Sequence, residues 1–183
     1  MEQIRYTRRI CTDQAKMERF LVDQRVGTLS MAGPAGQPYA VPVNYLYWNG
    51  KVYIHGMGSG KKNDLLAANP TVCFSVFAEF GTVTDAAPCK CDTSYFSVVL
   101  FGQALPVEDP EEKAQALTRL LAKFTPQLFK NPLAPQFAAK YRSALDNRAV
   151  AVYRIVPQEL TAKENPVDPE HMFHGHVIKE LRE

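Results

Sequence analysis

An Asn49-Gly50 pair set between two strand-like runs constrains this chain more than any other feature. Both residues tolerate the positive φ of a two-residue hairpin turn, whose twist matches the strands it joins. Ahead of the pair, residues 39–48 (YAVPVNYLYW) are rich in β-branched and aromatic side chains; behind it, residues 51–55 (KVYIH) return as the partner strand. Residues 26–32, 71–78, 95–105 and 149–156 also read as strands. Six β segments with few helices between them argue against a doubly wound parallel sheet, which needs a crossover helix after most strands. The expected class is mainly β with peripheral helices, in an antiparallel barrel.

The helical pattern is confined to a few places. Residues 12–24 carry Met17, Phe20, Leu21 and Gln24 at helical spacing, with Thr12 as the expected N-cap. Residues 61–68 make about two turns, stopped by Asn69-Pro70, because the residue before proline resists the α conformation. Asp109-Pro110-Glu111-Glu112 opens a third helix with a capping box, and Ala114, Leu117, Leu120, Leu121 and Phe124 form its apolar stripe. A shorter helix is expected over residues 136–145. Residues 79–93 read as irregular, and the polar stretch from Thr161, with Pro166 and Pro169, reads as an extended tail.

At 183 residues the chain suits one domain. Lys and Arg number 21 against 19 Asp and Glu, a balance that leaves no electrostatic footprint for nucleic acid or an anionic membrane. The start, MEQIRYTRRICTDQAKMERF, lacks the apolar core of a secretory signal, and no apolar run approaches the roughly 18 residues of a membrane span. The four cysteines (Cys11, Cys73, Cys89, Cys91) form no disulfide framework. A cytoplasmic protein with reduced thiols is the expectation.

The segment that carries chemistry is His55-Gly56-Met57-Gly58-Ser59-Gly60-Lys61-Lys62. It follows a strand and opens a helix, where backbone N–H groups point outward with partial positive charge. Glycines let backbone approach an anion closely, and lysines add full charge. The spacing matches neither a Walker A loop nor the GxGxxG fingerprint. An anion site and a glycine-rich turn with two solvated lysines are both compatible with these residues. In the preceding strand Pro42 lacks a ladder donor, which confines it to an edge or an irregular position. An edge at Pro42-Val43-Asn44 would leave backbone groups free for the polar rim of a planar ring; an ordinary sheet edge would look the same.

The ordered set G-T-L, P-Y-x-V-P-V, Y-x-H-G, G-K-K, N-P-x-V and S-V-x-x-F-G, spread over roughly residues 3–160, resembles the pyridoxamine 5′-phosphate oxidase-like family, and within it the nitroimidazole-resistance branch. The resemblance implies a six-stranded antiparallel split β-barrel over residues 1–160, with residues 161–183 as a tail extended or packed on a partner subunit. It also implies a homodimer with FMN at the interface. Carried over by position, Pro42, Val43, Asn44 and Tyr45 would line the flavin ring, and His55 and Gly56 would sit beside it. Ser59, Lys61 and Lys62 would hold the phosphate, and Ser97 would approach from a neighbouring strand. The arginine-rich C-terminal pattern of true pyridoxamine phosphate oxidases is absent, the end reading HMFHGHVIKELRE, so that oxidation is not expected.

His55 is the candidate catalytic residue: a neutral imidazole beside a flavin could position substrate or donate a proton, although a strand-end histidine bonded to backbone would look identical. His171, His174 and His176 lie among prolines without a cysteine partner, so no metal site is expected. Cys89-Lys90-Cys91 has the wrong spacing for a CxxC redox pair, and Trp48 reads as packing. The resulting expectation is an FMN-dependent oxidoreductase of small electron-poor molecules such as nitroaromatics. A flavin- or haem-binding carrier or sensor is the alternative.

Overall fold

In the computed structural model, which describes residues 6–175, Asn49 and Gly50 take φ of 50° and 70°. This left-handed pair folds β3 (Pro38–Trp48) back onto β4 (Lys51–Gly56). The other edge of β3 pairs with β2 (Val26–Ala32), which pairs with β5 (Thr71–Val83), which pairs with β6 (Asp92–Pro106). The last strand, β7 (Ala151–Asn165), closes the ring: it takes β4 on one edge and β6 on the other. Every pairing is antiparallel, as the hairpin pattern requires. The sheet has seven strands where six were expected. The seventh, β1 (Ile10–Cys11), is two residues long and pairs with the far end of β7, so the ring itself contains six.

Helices occupy the periphery. α1 (Gln14–Asp23) is capped by Asp13 rather than by Thr12: the Asp13 carboxylate accepts the Lys16 N–H at 3.0 Å. α2 (Lys61–Ala68) stops at Asn69-Pro70 as expected. α3 (Pro110–Phe124) opens at Asp109, whose carboxylate accepts the N–H groups of Glu111 and Glu112. α4 (Pro135–Lys140) ends five residues before the expected Leu145.

Two stretches read as irregular are strand. β5 continues to Val83 and β6 begins at Asp92, with a break in register between Glu79 and Gly81, where Gly81 takes φ of 117°. β7 runs past Val156 to Asn165, so residues 161–165 of the expected tail belong to the barrel. Their polarity follows from position. Ala162 turns into the core while Lys163 pairs with Ser97 on the other face.

Along β3 the alternation is clean. Tyr39, Val41, Val43, Tyr45 and Tyr47 turn inward to a core with Leu29, Phe74, Leu100 and Ile155. Leu46 and Trp48 turn outward and join Tyr53 and Val152 beneath α3 and Ala138 of α4. The outer face of the barrel is thus divided. The part formed by the β3–β4 hairpin and the start of β7 lies under helices, whereas Val26 of β2 and Phe77 of β5 stay exposed on the remainder, Phe77 at 58%.

Candidate functional site

Where β4 ends, the chain makes a tight loop and enters α2. Asn63 in the first turn of α2 donates from Nδ2 to the Met57 carbonyl at 2.7 Å, which ties the loop to the helix. Its Oδ1 is buried without a hydrogen-bond partner. Gly60, at φ of 106°, forms the entry to the helix. Lys62 folds back over Gly56, where an added Cβ would stand 2.9 Å from its Nζ. Burial lowers the Lys62 pKa, because the ammonium has lost part of its solvation. An anion seated there would restore the lost interaction. The residues therefore fit a phosphate group: a desolvated cation over a glycine, at the start of an eight-residue helix.

The two lysines do different things. Lys61 is exposed and lies over the Tyr39 ring, 4.3 Å from its centroid, so it turns away from Gly56. Ser59 is also committed: its hydroxyl donates to Asp146 Oδ2 at 2.8 Å.

The free edge expected at Pro42 is present. The β3–β4 ladder ends at Tyr45↔Ile54, so residues 38–44 of β3 have a ladder partner only in β2. The Tyr45 N–H donates to the Arg25 carbonyl at 3.3 Å. By antiparallel alternation, Val43 also directs its backbone groups toward β2, while those of Pro42 and Asn44 point away from it. Proline thus stands where its missing N–H faces the open side. Val43 and Tyr45 alternate with Pro42 and Asn44 along the strand. Both side chains enter the core, and Tyr45, at 0% exposure, donates its hydroxyl to the Leu21 carbonyl at 2.8 Å.

Asn44 and His55 meet at a cavity of about 190 Å³ between the barrel and α3, walled by Leu120, Leu121, Phe124 and Tyr141. His55 keeps an exposed surface, but the atoms crowded around its ring lower its pKa first by desolvation, and the Lys62 ammonium lowers it further, which favours the neutral imidazole. One cationic group thus faces both the loop and the histidine.

Ser97 is not brought to this cluster within the chain. It lies on the outer face of β6, paired with Phe77 and Lys163. The row Pro42–Thr28–Ser75–Val99 crosses that face from β3 to β6. Three strand spacings, about 14 Å, separate its ends, and Ser97 is the next outward residue beyond Val99.

Other singled-out residues are accounted for by packing and turns. Trp48 stacks on Tyr53 with ring centroids 5.5 Å apart. The Asp85 N–H donates to Cys91 Sγ at 3.4 Å within the β5–β6 turn. His171 pairs with Asp168 at 2.8 Å. No group of three or more His, Cys, Asp or Glu among the described residues is set to hold a metal ion. His176 lies outside the described residues. Among them, no helix is long and apolar enough to cross a membrane.

A family model described as pyridoxamine 5′-phosphate oxidase matches residues 13–164. The chain belongs to the pyridoxamine 5′-phosphate oxidase family. No curated protein matches it. Among solved structures, it is similar to a candidate 5-nitroimidazole antibiotic resistance protein from Bacteroides thetaiotaomicron, with 24% identity over 84% of this chain and 85% of that one and a TM-score of 0.65. It is also similar to the FAD and haem binding protein from Mycobacterium smegmatis, with 20% identity over 88% and 77% of the two chains and a TM-score of 0.69. The flavocytochrome Anf3 from Azotobacter vinelandii aligns over all of this chain and 87% of its own, with 20% identity and a TM-score of 0.73. At these identities the likeness is one of fold, the split barrel of the family.

Asp146 and Tyr141 are the site residues that sequence reading missed. Asp146 reaches Ser59 across 87 positions of chain, and no local motif marks either residue.

Proposed function

We propose that this chain is a flavin-binding oxidoreductase that takes FMN, and that its substrates are small electron-poor molecules of the nitroaromatic class. The observation that carries this reading is the Lys62 ammonium held over Gly56, beside the cavity of Asn44 and His55 and the open edge at Pro42. A phosphate at Lys62 would direct the rest of a flavin along that edge. The flavin supplies the hydride and electron chemistry when bound. The backbone groups of Pro42 and Asn44 meet the polar rim of its ring. Leu120, Leu121 and Phe124 exclude water from one side. The neutral His55 imidazole holds or delivers a proton at the substrate. Similar structures described as an FAD and haem binding protein, a flavocytochrome and a candidate nitroimidazole resistance protein support a redox role.

The functional unit in this reading is a cytoplasmic homodimer. The bare outer face of β2, β5 and β6, with Val26 and Phe77 exposed and Ser97 upon it, receives the second copy. The flavin then lies between subunits, and Ser97 of each chain serves the interface.

An ultraviolet–visible spectrum of the purified protein tests this, recorded alone, with FMN or FAD, and then with NADH or NADPH. A bound flavin spectrum that bleaches with the nicotinamide donor is expected. A flavin that binds yet resists every donor would favour a carrier, a Soret band would point to haem, and failure to bind any flavin would overturn the reading.

A further inference from the structure

The Ser59 hydroxyl has a single proton, and that proton is already given to Asp146 Oδ2 at 2.8 Å. The other carboxylate oxygen, Oδ1, accepts the Arg148 N–H at 3.1 Å, so both oxygens of Asp146 are held. The acid sits in a turn braced by two backbone bonds, Ser143 N–H to the Arg148 carbonyl at 2.8 Å and Val150 N–H to the Tyr141 carbonyl at 3.0 Å. That turn is pressed against the glycine loop: a Cβ at Gly58 would stand 2.2 Å from the Ala149 carbonyl oxygen. A carboxylate is thus fixed on the one side-chain hydroxyl of the loop that Lys62 closes.

We propose that Asp146 is an internal anion competing with the ligand phosphate for Ser59, and that it determines how strongly the loop selects a phosphate-bearing flavin over one without phosphate. This rests on the reading that the Gly56–Lys62 loop receives the flavin phosphate. The physical basis is charge. The backbone N–H of Arg148 and the hydroxyl of Ser59 hold the Asp146 carboxyl below its usual pKa, so it is ionised at neutral pH. A terminal phosphate brings about −1.5 to −2 charges of its own. Ser59 cannot donate to that phosphate until it releases Asp146, and the two anions repel at the distance a shared hydroxyl enforces. Because Tyr141 belongs to the same turn and also walls the His55 cavity, displacement of Asp146 is felt where the substrate would sit.

The test is the affinity of the full chain and of Asp146→Asn for FMN and for riboflavin, measured by fluorescence quenching. Asparagine keeps one acceptor, for the Arg148 N–H, and sets an amide N–H donor against Ser59, so it removes the charge and releases the hydroxyl proton while the turn stays braced. FMN binding should tighten by about fivefold to tenfold, with riboflavin unchanged. Equal tightening for both flavins, or no change for FMN, overturns the competition. If the unsubstituted chain binds FMN no better than riboflavin, the phosphate reading itself fails; if it prefers FMN and Asp146→Asn makes no difference, only the role of Asp146 fails.

Discussion

Lys61 and Lys62 are neighbours in the chain, but the helix they open turns them about 100° apart. Lys62 folds over Gly56 and lowers the His55 pKa; Lys61 lies on the Tyr39 ring in contact with solvent. The two should therefore differ in their effect on flavin binding. Lys62→Ala is expected to weaken FMN by about tenfold or more, as loss of a charge-assisted contact of roughly 1.5–3 kcal/mol implies. Lys61→Ala should cost less than about threefold, in keeping with an exposed charge. Isothermal titration with FMN separates the two, and equal losses would place the phosphate between both lysines. The sequence marks both as candidates and has no means of ranking them, since the ranking comes from which side of α2 faces the end of β4.

At the scale of elements, loop and turn are locked by backbone proximity. Gly56 pairs with Ala151, and two residues on, Gly58 passes against the Ala149 carbonyl oxygen. Gly58→Ala should destabilise the protein by about 1–3 kcal/mol, the cost of forcing a methyl group into packed backbone, read as a lowered midpoint in urea. An unchanged midpoint would mean that the turn over residues 141–150 yields freely. Much of this level was legible. The Asn49-Gly50 hairpin, the Asp109 cap and the Asn69-Pro70 stop depend on local chemistry, and all three appear where that chemistry puts them. The end of β5, the start of β6 and the end of β7 were not legible: residues 79–83 and 92–95 pair across a turn with no two-residue hairpin signal, and the polar residues 157–165 are held as strand by distant residues of β6. The same holds for Asp146. A charged residue in a turn reveals its partner only after the fold brings Ser59 to it.

The whole molecule presents two unlike outer surfaces. One side of the barrel lies beneath α3 and α4; the other carries Val26 and Phe77 in the open, with Phe77 stacked near Tyr95 at 5.9 Å between ring centroids. An exposed phenylalanine backed by a half-buried tyrosine on a strand face is a natural contact for a second copy. Sedimentation should show a dimer for the natural sequence, and Phe77→Glu should shift it toward the monomer and weaken FMN binding with it. A monomeric natural protein that still binds FMN tightly would refute an interface site.

The closing strand has a consequence for how the chain is made. β7 supplies both seams of the ring, and β1, near residue 10, pairs with it across about 150 positions. During synthesis, β2 to β6 can leave the ribosome and pair with their neighbours while β1 waits for its partner and one edge of β4 and one edge of β6 remain bare. Such edges invite pairing with other chains, and contacts so distant in sequence form slowly. Until residues 151–165 emerge, the molecule is an open sheet with its Gly56–Lys62 loop unbacked, because the Ala149–Ala151 backbone that braces Gly56 and Gly58 arrives with that last strand. Closure of the ring and bracing of the Gly56–Lys62 loop are one event.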